Sequence, residues 1–118
     1  RYFPEAFEGI PRDVFIRAMK AEGVPLSTGY GAPVYKNTVF QQDWENSDYK
    51  PFAWTETAQD YRNLHLPNAE QYCKERLSMG QRALLASEIQ MRDVTRAFVK
   101  VREQASRLKT WSEQQSKS

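Results

Sequence analysis

The stretch PRDVFIRAMKAEGVPLS, residues Pro11–Ser27, decides the fold class. Val14, Phe15, Ala18 and Met19 recur at helical spacing, so a helix is expected from Pro11 to Gly23. Pro11 suits the first helical position, where its missing N–H would be unpaired in any case. Asp13 lies in the first turn, where its charge suits the helix dipole, and Gly23 is placed to end the helix in a left-handed conformation. Val24-Pro25-Leu26-Ser27 is short, apolar and bounded by turn residues, which reads as a strand. Pro25 cannot donate to a ladder, so that strand needs an edge or a bulge.

Working outward, Arg1–Gly9 mixes Tyr2, Phe3 and Phe7 with Pro4 and acids and reads as a short strand followed by a loop. After Ser27, Thr28-Gly29-Tyr30-Gly31-Ala32-Pro33 is a loop that two glycines and a proline keep irregular. Residues 41–66 have no convincing period and carry Trp44, Tyr49, Phe52, Trp54 and Tyr61 among polar residues. Irregular stretches of that length are uncommon in folded domains and are often functional, so docking on another surface is expected. Helix resumes at Pro67, with Ala69, Tyr72 and Cys73 on one face. Leu77-Ser78-Met79 is a strand candidate ended by Gly80.

Ser87 with Gln90 fits a capping box, which satisfies two orphan backbone donors at a helix start. Ile89, Val94, Ala97, Phe98, Val101, Ala105 and Leu108 then form an apolar stripe, with Arg92, Arg96 and Lys100 opposite. This helix is expected to run about 20 residues, or roughly 30 Å. Residues 111–118 lose the pattern and are expected to fray. The expected fold is α+β: a small, mostly antiparallel sheet of about three strands, helices on one face, and a long C-terminal helix. One domain is expected over residues 1–110, with the aromatic-rich loop 41–66 inside it.

The 118 residues carry 17 basic and 15 acidic side chains, a formal net charge of +2, too weak to dictate a polyanionic partner. A hydrophobic content of 40% opposes wholesale disorder. No apolar run approaches the roughly 20 residues that cross a bilayer, so no membrane is expected. Arg1 is followed by aromatics, Pro4 and acids, so no signal peptide is expected. Cys73 and His65 are each alone, which nearly excludes a zinc site built on the usual ligands and leaves no self-contained hydrolase arrangement. One cysteine leans towards a reducing, cytoplasmic compartment. The 44–61 segment holds Asp43, Glu45, Asp48, Glu56 and Asp60 at or beside it against Lys50 and Arg62, so it repels phosphate and disfavours nucleic acid.

Three strings in order are Arg12-Asp13-Val14-Phe15 through Met19-Lys20-Ala21-Glu22-Gly23-Val24-Pro25, then Gly29-Tyr30-Gly31-Ala32-Pro33-Val34-Tyr35, then Leu66-Pro67-Asn68-Ala69-Glu70. Together they resemble the C-terminal small domain of the DegT/DnrJ/EryC1/StrS family of pyridoxal-phosphate-dependent sugar aminotransferases, from Tyr2 to about Val101. Leu77-Ser78-Met79-Gly80-Gln81 and Leu84-Leu85 sit where that family has a short strand and a turn. Tyr35 stands where many members carry histidine, and Thr38 and Gly80 stand where prolines are common.

The resemblance implies the small domain of a fold-type-I transferase that moves an amino group, typically from glutamate or glutamine, onto a keto sugar or cyclitol. The lysine-bearing domain that holds pyridoxal 5'-phosphate would be a separate, large domain of the same protein, and the full-length protein would be a homodimer. This chain alone would be inactive and hold no cofactor, no metal and no catalytic residue. Tyr30, Gly31, Pro33 and Tyr35 would border the sugar substrate. Turn chemistry alone also explains the glycines and proline of that loop. The basic helix face is most simply solvated, His65 a satisfied helix-entry residue, and Cys73 a small core residue. The competing reading is a stand-alone protein-interaction module using the long helix and the aromatic loop. An aminotransferase fragment would leave an apolar face exposed where its large domain docks.

Overall fold

A computed structural model describes residues 1–42 and 60–115. Trp44, Tyr49, Phe52 and Trp54 of the aromatic segment lie outside the described residues. The architecture is α+β. Helices α1 (Arg12–Ala21), α2 (Thr38–Gln41), α3 (Pro67–Glu75), α4 (Gln81–Leu84), α5 (Glu88–Glu103) and α6 (Ala105–Gln115) accompany strands β1 (Leu26–Ser27) and β2 (Ser78–Met79). The chain divides into one unit of residues 1–29 and 75–118 and a second of residues 30–74.

In the first unit, α1 forms where the periodicity places it, with Pro11 as the residue just before the first turn. Gly23 takes φ +82°, a conformation that a side chain would strain, and turns the chain towards β1. The strands pair antiparallel, Leu26 opposite Met79 and Ser27 opposite Ser78. Among the described residues the sheet therefore has two strands, not three. Both are edges, which accommodates Pro25 immediately before β1.

The missing strand is the N-terminal one. Pro4–Phe7 is a 3-10 turn, and Tyr2 donates a single backbone hydrogen bond to Glu75 at 2.6 Å. The aromatics that suggested a strand pack onto Phe15 instead, with ring centroids 4.9 Å away for Tyr2 and 4.7 Å for Phe7. The Tyr2 hydroxyl donates to the Ile10 carbonyl at 2.7 Å.

The core is mainly helix against helix. Phe15, Ile16 and Met19 of α1 meet Ala97 and Val101 of α5, with Tyr2, Val24 and Leu26 completing the cluster. Ile10, Val14 and Ala105 form a smaller one. The Ser87–Gln90 capping box is present at the start of α5. Ala97, Val101 and Ala105 of the stripe are buried and Val94, Phe98 and Leu108 pack half-buried beside them, but Ile89 is 73% exposed and does not join them. The long helix breaks at Gln104, where α5 ends and α6 begins. The expected loss of helix at Trp111 does not occur before Gln115. The Arg17 guanidinium lies 5.2 Å from the Trp111 ring centroid, a cation–π contact that gives this turn a partner.

Candidate functional site

The loop singled out in the sequence starts in the first unit and ends in the second. Gly29 has φ +68°, and a Cβ there would lie 2.9 Å from the Arg76 guanidinium. Tyr30 opens the second unit with 73% of its surface exposed. Gly31 is also exposed, and Pro33 is half-buried. Pro33 leads into a 3-10 turn, Val34–Lys36, closed by backbone bonds from Lys36 to Pro33 at 3.0 Å and from Asn37 to Val34 at 2.9 Å. Asn37 then caps α2 by accepting from the Val39 N–H at 3.3 Å.

Tyr35 differs from the other three. It is 7% exposed, and its hydroxyl donates to the Glu70 carboxylate. The same hydroxyl accepts from the Leu66 N–H at 3.5 Å. Its backbone carbonyl accepts from the Gln41 amide at 2.6 Å, and that amide also reaches the Tyr61 carbonyl at 3.2 Å. Tyr35 is thus an anchor, and Tyr30 is the aromatic of this loop that reaches solvent.

Sequence reading missed the residue on which the anchor rests. Glu70 lies in the first turn of α3 with its side chain mostly covered. Besides the Tyr35 hydroxyl, its carboxylate meets the Lys36 ammonium at 3.3 Å and His65 Nδ1 at 2.8 Å. These donors, the Tyr35 hydroxyl foremost, hold the Glu70 carboxyl down at about 2. The Lys36 ammonium is raised above its ordinary value, chiefly by its bond to Glu70. Desolvation and then the bond to Glu70 raise the Tyr35 hydroxyl. The available signal was Leu66-Pro67-Asn68-Ala69-Glu70 itself, which starts a helix with an acid one turn in. Nothing in its spacing points to Tyr35, 35 positions earlier.

His65 is engaged at the entry to α3, and Cys73 is buried. On the basic face of α5, Arg92 pairs with Glu88 at 2.7 Å, Arg96 with Asp93 at 3.1 Å, and Lys100 with Glu22 at 2.8 Å. Those exposed pairs describe a solvated surface of small energetic weight.

Pyridoxal phosphate requires a lysine that gives up its proton to form an imine. Lys36 is shifted the opposite way, and Lys100 is held by Glu22. Among the described residues there is no cluster of three or more metal-ligating side chains, and no helix is long and apolar enough to cross a membrane. Searches of family models, curated proteins and solved structures find no match to the chain.

Proposed function

We propose that this chain is the C-terminal, substrate-cleft domain of a pyridoxal-phosphate-dependent aminotransferase acting on a keto sugar or cyclitol. The observation that carries this reading is the anchored loop: Tyr35 is tied to α3 while Tyr30 stands 73% exposed a few residues away. A held loop offering an exposed aromatic ring suits a wall against which a sugar is oriented, and orientation alone lowers barriers by several kcal/mol. Tyr30, with the Gly31 and Pro33 backbone beside it, supplies contact, and Tyr35 supplies rigidity. Amine transfer belongs to a lysine-bearing large domain of the same cytoplasmic, dimeric protein.

The complete reading frame tests this directly. A large domain with a Schiff-base lysine is expected upstream of Arg1, and the purified full-length product should be yellow and lose its colour when that lysine is replaced. A frame without such a domain overturns the proposal. The competing reading, a protein-interaction module, draws on Leu84, Leu85 and Ile89, which are 58%, 79% and 73% exposed around the α4–α5 junction. Such an apolar cluster suits a covering surface in either case, and the reading frame separates the two.

A further inference from the structure

One carboxylate in the second unit gathers more partners than a helix start requires. Tyr35 and Lys36 come from the 3-10 turn, and His65 comes from the segment entering α3. All three converge on Glu70, which when ionised presents acceptors alone and when protonated also carries an O–H donor. Bonds to a charged acceptor are stronger than neutral ones, and of the groups meeting here the Glu70 and Tyr35 side chains are mostly covered. Removing the carboxylate would leave the Tyr35 hydroxyl without its acceptor in a buried position and the Lys36 ammonium without its counter-charge.

We infer that Glu70 is the positioning residue of the 30–36 loop: by collecting Tyr35, Lys36 and His65 it fixes the turn that holds Tyr30 in place. That Tyr30 is presented to a sugar rests on the function proposed above; the fixing of the loop does not. The groups facing the carboxylate are Tyr35 and Lys36 from the turn and His65 from the approach to α3. Their arrangement makes the loop's order depend on Glu70 remaining ionised.

Nuclear magnetic resonance on the 118-residue chain tests this. In Glu70→Ala, amide exchange at Lys36 and Asn37 should accelerate about tenfold, while Phe15 in α1 is unchanged. The backbone order parameter at Tyr30 and Gly31 should fall from about 0.85 to below about 0.6. Glu70→Gln keeps the shape and removes the charge; it should show most of that loss, and its loop order should be the same at pH 2 and pH 6, whereas the wild type's should fall towards pH 2. Tyr35→Phe, which deletes only the hydroxyl, serves if Glu70→Ala does not fold, with the same expected acceleration. Unchanged exchange and order in folded Glu70→Ala, or in folded Tyr35→Phe where that variant is used, overturns the inference. A changed loop in a protein whose full-length form lacks a lysine-bearing domain upholds the positioning role and defeats only the proposed function.

Discussion

Glu70 and its donors set the response of the second unit to pH. The folded carboxyl lies at about 2 against an ordinary 4.5, so its contribution to stability is complete above 4.5 and is lost as pH falls towards 2. Tyr35 and Lys36 are shifted upward, so their contributions are complete below their ordinary values of 10.0 and 10.5 and fade as pH rises beyond them. Denaturant unfolding of wild type and Glu70→Gln should therefore differ at pH 6, and the difference should vanish by about pH 2. A constant difference across that range would remove Glu70 as its source. At the other end of the loop, Gly29→Ala places a methyl at φ +68° and 2.9 Å from the Arg76 guanidinium. The backbone term alone should cost about 1–2 kcal/mol in chemical denaturation.

At the scale of the element, caps and partners decide where helices begin and end. Ser87 accepts from Gln90 N–H while the Gln90 side chain reaches back to Ser87 N–H. Ser87→Ala should lower stability by about 1 kcal/mol, read as a shifted denaturation midpoint with unchanged slope. The extent of α6 shows the opposite case. Residues after Leu108 lack a clear apolar stripe, yet Trp111 lies under Arg17 and the helix continues to Gln115. Helical period measures one-sided burial, whereas Arg17 and Trp111 meet through tertiary packing that no window of neighbouring residues contains. The N-terminal segment differs for the same reason, because ring packing on Phe15 replaced strand pairing.

For the whole molecule, stability is a small difference between large terms, of order 5–15 kcal/mol for a domain. Phe15 is fully buried where α1 meets α5 and touches Tyr2, Phe7 and Phe98. Phe15→Ala should cost about 3–5 kcal/mol, a large share of that total. Calorimetry should show a strongly lowered or lost transition, and a drop under about 1 kcal/mol would mean the site collapses around the cavity. Local reading suffices for α1, the turn at Gly23, the β1 and β2 segments, the start of α3 and the capped start of α5. Each is set by local period, caps and backbone restrictions that neighbouring residues carry. Distant contacts make the N-terminus a turn, take Ile89 out of the stripe and make Tyr35 an anchor on Glu70. Those outcomes depend on side chains far apart in the chain, because burial and charge pairing act through space.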